Sequence, residues 1–137
     1  MKQCFPLPLV SGCPDREKET VILIHGMMRT GRSMRRIGDF LAQYGYNIVN
    51  CSYESTKTVD EITSELFDAL AIIIEAAPKV HFVTHSLGGI ILRNAFKNKV
   101  PANIAYMKTG NNDKVFGTIT TKQISEELSK MGFDIDK

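Results

Sequence analysis

No stretch of the 137-residue chain approaches the ~18 consecutive apolar residues that a membrane-spanning helix needs. No block of one charge is present either. The net charge is +2, from 17 Lys and Arg against 15 Asp and Glu. Residues 1–97 carry 11 basic and 10 acidic side chains, and residues 98–137 carry six and five. A protein that grips nucleic acid usually has a clearly basic half or face, so RNA is not the expected partner. Cysteine is scarce and odd in number: Cys4, Cys13 and Cys51 stand at no metal-ligand spacing. Reduced thiols in a cytoplasmic protein, with no metal and no cofactor, are the simplest reading. Internal repeats and low-complexity segments are also missing. What remains is ordinary globular composition, 43% hydrophobic and 23% charged, in a chain long enough for one domain with a real core.

The first 19 residues read as a poorly ordered leader, rich in proline and then in charge. Within it, Val10-Ser11-Gly12-Cys13 after Lys2 resembles a lipoprotein cleavage box. The apolar run before it is very short and broken by Pro6 and Pro8, which makes a poor signal-peptide core. Regular pattern begins at Thr20. Thr20 to His25 is a continuous β-branched run, as in a strand buried on both faces. Ser33 to Tyr44 places Met34, Ile37, Leu41 and Tyr44 at helical spacing, with Gly45 where a C-cap belongs. Tyr46 to Cys51 is a second strand. Thr58 and Glu61 form a capping box for a helix carrying Val59, Ile62, Leu66, Leu70, Ile73 and Ala77, ended by Pro78. Val80 to Thr84 is a third strand and residues 87–97 a third helix. The order β-α-β-α-β-α predicts a three-layer αβα fold on a parallel sheet.

Beyond this core, assigned to residues 20–103, the character changes. Ile104 to Lys108 and Val115 to Thr120 flank the turn-rich Gly110-Asn111-Asn112-Asp113 and predict a hairpin. A helix capped by Thr120 or Thr121 and stopped by Gly132 should follow. This 104–137 segment is expected to pack on the same domain, its hairpin at the sheet edge beside the third strand. Without it that strand would lie open to aggregation.

Chemistry concentrates in Thr84-His85-Ser86-Leu87-Gly88-Gly89, between a predicted strand and a predicted helix. A serine there is exposed on a sharp turn, and small residues must flank it because strand and helix approach closely. This is the mechanics of the nucleophile elbow, G-x-S-x-G, with Thr84 in place of the first glycine. The Leu87 N–H lies at a helix N-terminus and can donate to an oxyanion. A second donor should come from His25-Gly26-Met27-Met28, where Gly26 lets the backbone turn and the Met27 N–H is the best candidate. A helix N-cap serine is the bland alternative for Ser86.

Together, Val21-Ile22-Leu23-Ile24-His25-Gly26, with Arg29-Thr30 and Ser33-Met34, and Val83-Thr84-His85-Ser86-Leu87-Gly88-Gly89 resemble the α/β-hydrolases, and within them bacterial lipases and esterases. The resemblance covers about residues 20–97. It implies Ser86 as nucleophile, Met27 and Leu87 as oxyanion donors, and a small ester or lipid as substrate. It also implies an acid and then a histidine after the serine, and none follows: His25, His81 and His85 all precede Ser86. His81 lies about 16 Å back along its strand at ~3.3 Å per residue, and the His85 side chain should point away from Ser86. His25 is the only stand-in base, although a histidine in that motif more often shapes the oxyanion loop. Asp113, Glu126, Glu127, Asp134 and Asp136 follow Ser86, each with a turn, solvated-helix or terminal reading.

The tail resembles another family. Lys108-Thr109-Gly110, Lys114 to Thr120, Lys122-Gln123-Ile124 and Gly132 to Lys137 are similar to the carboxyl-terminal domain of bacterial large-subunit ribosomal protein nine, over about residues 106–137. That family would imply contact with ribosomal RNA, which the balanced charge of the tail supports poorly. Two unrelated half-domains suggest a recombined or engineered chimera joined near Asn103 to Tyr106. The expected function is a serine-hydrolase-like scaffold with weak or absent ester hydrolysis. The alternative is a non-catalytic chimeric protein, and RNA binding ranks behind both. Arg29, Arg32, Arg35 and Arg36 could attract an anionic substrate or headgroup, with a solvated helix face as the simpler reading.

Overall fold

A computed structural model describes residues 9–105 and, in backbone only, three short strands beyond them. The elements are β1 (Val10–Ser11), β2 (Thr20–Ile24), a 3-10 turn (Gly31–Met34), α1 (Arg35–Ala42), β3 (Asn47–Cys51), α2 (Val59–Ala76), β4 (Val80–Thr84), α3 (Leu87–Ala95), β5 (Met107–Thr109), β6 (Asp113–Val115) and β7 (Thr118–Thr120). The main sheet has the order β1-β3-β2-β4-β7. β3, β2, β4 and β7 run parallel, with Ile24 opposite both Cys51 and Thr84, and β1 is antiparallel at the β3 edge. Helices cover both faces, so the fold is three-layer α/β.

The two faces follow from the alternation along β2, all five of whose residues are buried. Ile22 and Ile24 join Val49, Phe82, Ile62, Leu66, Leu70 and Ile91 under α2 and α3. Val21 and Leu23 join Val83 and Met34 under α1. Each such side chain, fully buried, stabilises the fold by roughly 1.5–3 kcal/mol. The capping box forms as expected: Thr58 Oγ1 accepts the Glu61 N–H at 3.2 Å, and Glu61 Oε2 accepts the Thr58 N–H at 3.0 Å.

Three expectations change. The leader is not loose over its described part: Ser52 N–H donates to Leu9 O at 2.8 Å, and Val10–Ser11 pairs with β3, because the β3 edge offers open backbone groups. Residues 1–8 lie outside the described residues. Reduced thiols hold for buried Cys51 but not for Cys13, which is disulfide-bonded. Third, the hairpin forms between β5 and β6 as a separate two-stranded sheet, while β7 extends the β4 edge. Ile104 also bridges Val80 on β4. The helix expected after Thr120 lies outside the described residues.

Candidate functional site

The parallel register of β2 with β4 brings their carboxyl ends level, Ile24 opposite Thr84, so the segments after them emerge side by side. His85 N–H donates to Ile24 O at 3.1 Å and ties the two together. Contact there is close enough that backbone excludes a side chain at Gly88, whereas at Gly26 the nearest atom belongs to the exposed His85 ring. A Cβ on Gly88 would stand 2.5 Å from Ile24 O, and one on Gly26 2.6 Å from His85 Nδ1. Gly89 is less constrained, since its Cβ would meet Thr84 Oγ1 at an ordinary 3.4 Å.

Ser86 sits at the junction of β4 and α3 with φ 52° and ψ −116°, and is exposed. An N-cap serine takes extended backbone and accepts a helix N–H through its side chain. Ser86 does neither: its side chain makes no cap hydrogen bond. Left-handed φ at a non-glycine residue costs on the order of 1–3 kcal/mol and persists only where surrounding structure imposes it. Here the Gly88 contact with β2 and the His85–Ile24 bond impose it. Among the described residues, the N–H groups of Met27 and Leu87 donate to no protein acceptor. Met28, by contrast, donates to Ser55 Oγ at 3.0 Å.

His25 is fully buried and both its ring nitrogens are engaged. Nε2 accepts the Tyr53 N–H at 3.1 Å, so Nδ1 carries the proton and donates to Gly26 O at 2.8 Å. The Tyr53 ring stacks on the imidazole at 4.0 Å, and its hydroxyl donates to His25 O at 2.6 Å. Burial holds the His25 pKa below its ordinary value, against the two backbone bonds that raise it. Burial, with Cys51 nearby, pushes the Tyr53 phenol up to about 12. The candidate base therefore has no nitrogen free for the serine proton, and its place in the fold is to brace the loop after β2. His81 is no substitute. It lies toward the amino end of β4, with Nε2 3.0 Å from Glu19 Oε1. Asp113 opens β6, and the four later carboxylates lie outside the described residues.

Sequence reasoning missed Tyr53 and Ser55. They follow β3, whose carboxyl end stands beside that of β2, and only that adjacency marks them. An apolar groove of about 930 Å³ lies elsewhere, between the carboxyl halves of α2 and α3 and the 99–103 connection, lined by Phe67, Ile74, Ala95, Phe96 and Pro101. It stands at the end of the sheet opposite Ser86. Among the described residues, no cluster of His, Cys, Asp or Glu could hold a metal, and no helix is long and apolar enough to cross a membrane.

Residues 93–137 match the family described as ribosomal protein L9, C-terminal domain. The match starts at Arg93, inside α3, 13 residues before the expected start at 106 (106 − 93) and ahead of the expected junction. A helix end and a polar connection carry little distinctive pattern, which is why residues 93–105 did not stand out. The large ribosomal subunit protein bL9 of Exiguobacterium sibiricum is 47% identical over 45 residues, 31% of this chain and 31% of that protein. Its counterpart from Bdellovibrio bacteriovorus is 45% identical over 47 residues, 33% of this chain and 32% of that protein. The chain thus spans about a third of the length of these curated relatives. Epoxide hydrolase A from Mycobacterium thermoresistibile has a structure similar at a TM-score of 0.49, with 20% identity, over 69% of this chain and 34% of that one.

Proposed function

We propose that residues 20–97 form a serine-hydrolase-like scaffold of esterase or lipase type. In this reading Ser86 is the nucleophile and the Met27 and Leu87 N–H groups are oxyanion donors. Lacking a base, it hydrolyses carboxylic esters weakly or not at all. The observation that supports this best is the strained, exposed backbone of Ser86 with no capping bond. A serine serving only as a cap has no use for that strain. An elbow without its base retains at most the residual 10³–10⁴-fold catalysis of about the size left in triad-deleted proteases. The test is fluorophosphonate labelling of the purified protein beside Ser86→Ala, with hydrolysis of a short-chain nitrophenyl ester in parallel. Slow labelling that vanishes in Ser86→Ala and persists in His25→Gln is expected. No labelling of the folded protein would end the enzyme reading and leave a non-catalytic chimera, recombined or engineered, whose elbow is architecture.

A second reading rests on the family match over residues 93–137: the tail contacts ribosomal RNA, as the name of its relatives suggests. The matched span carries eight basic and five acidic residues, an excess of three that argues for weak, salt-dependent binding. Filter binding to a large-subunit RNA fragment across a salt series tests it, and binding without salt dependence or no binding would dismiss it. The compartment is drawn two ways. The disulfide at Cys13 fits an oxidising compartment, and the ribosomal likeness of the tail fits the cytoplasm.

A further inference from the structure

The loop after β2 carries two features that ester hydrolysis does not use. Met28 sits at φ 59°, where a long side chain is an outlier that glycine or asparagine would avoid. The bond from its N–H to Ser55 Oγ holds it there. The outcome is an apolar side chain left 80% exposed, beside Met27 at 58%. Backbone strain spent on exposing a methionine points to function rather than folding. The second feature is charge. Arg29, Arg32, Arg35 and Arg36 are all exposed, and no acidic residue occurs between Glu19 and Asp39. Of the nearby carboxylates, Asp39 lies 3.9 Å from Arg35 on the open surface, while Glu54 takes the Thr56 hydroxyl and faces Lys57.

We propose that this loop docks on an anionic phospholipid bilayer, with Met27 and Met28 entering the headgroup boundary and the arginines meeting lipid phosphates. Shallow apolar insertion ringed by cations is what anionic bilayers select. Single-stranded nucleic acid would instead use aromatic faces for stacking, and residues 26–36 contain none. The docking does not depend on the reactivity of Ser86, so the two readings fail separately.

The test is co-flotation of the full chain with phosphatidylglycerol–phosphatidylcholine vesicles, against pure phosphatidylcholine vesicles. Preferential partitioning to the anionic vesicles is expected, weakened by salt and equal in Ser86→Ala. Each arginine near an anionic surface is worth roughly a fivefold gain, so the double variant Arg29→Gln, Arg32→Gln should bind about twenty-fivefold more weakly. Met28→Asn tolerates the left-handed backbone, and should keep the circular dichroism spectrum while losing about fivefold in partitioning. Absence of partitioning by the folded wild type, or equal affinity for both vesicle types, would overturn the proposal. So would undiminished binding by Met28→Asn, which would make the patch a general polyanion site.

Discussion

At the scale of the residue, His25 and Ser86, which follow the neighbouring strands β2 and β4, are put to different uses. Ser86 holds a backbone conformation glycine would adopt without cost. Ser86→Gly should therefore raise stability by about 1 kcal/mol, the strain of ~1–3 kcal/mol less the extra unfolded-state entropy of glycine. It should abolish any labelling at the same time. Urea denaturation checks it, and equal or lower stability would mean the elbow is not strained. His25 makes stability depend on pH. Its folded pKa is lowered by burial, so below about pH 6.5 the unfolded chain takes up a proton that the folded chain resists. The unfolded state then binds more protons, and stability falls as the pH drops from about 7 towards 5. His25→Gln, whose carboxamide can accept from Tyr53 N–H and donate to Gly26 O, should flatten the urea midpoint against pH. An unchanged slope would assign the effect to another group.

At the scale of the element, most of the pattern was legible because it is local. The β-branched run of β2, the apolar stripe of α2 and its capping box each depend on residues within a few positions of one another. Thr58→Ala should cost about 1 kcal/mol, within the ~0.5–2 kcal/mol typical of such caps, and Thr58→Ser should restore most of it. Paired urea titrations read both, and a neutral Thr58→Ala would mean water replaces the cap. The first helix was legible only in part: its expected start at Ser33 falls inside the 3-10 turn, and α1 proper begins at Arg35. β1 was not legible at all. Two residues after a proline-rich stretch carry no strand signal, and only the open β3 edge makes them a strand.

At the scale of the whole molecule, the disulfide at Cys13 and the place where the family match begins matter most. Of the three cysteines, Cys51 is free and buried and Cys13 is bonded. Denatured without reductant, the protein should leave Cys13 unlabelled by a thiol reagent while Cys51 is labelled, and Cys13 should react only after reduction. Labelling of Cys13 before reduction would remove the disulfide and favour the cytoplasm. The match to the ribosomal protein L9 C-terminal domain begins within α3, the helix that follows Ser86. The match thus begins inside a packed helix rather than at a linker.

The sequence by itself determined the alternation of strands and helices, the α2 cap, the string around Ser86 and the family likeness of the tail. These are written in neighbours along the chain, where hydrophobic period and turn chemistry act. Only the tertiary structure decided that Ser86 is strained, that both His25 nitrogens are spent on Tyr53 and Gly26, and that Met28 is held out to solvent by Ser55. It also placed β1 and β7 at opposite edges of the sheet. The partners in the His25–Tyr53 and Met28–Ser55 pairs lie 28 and 27 residues apart. They meet only because parallel pairing sets the carboxyl ends of β2, β3 and β4 level, and strand order and register are properties of the sheet rather than of any one strand.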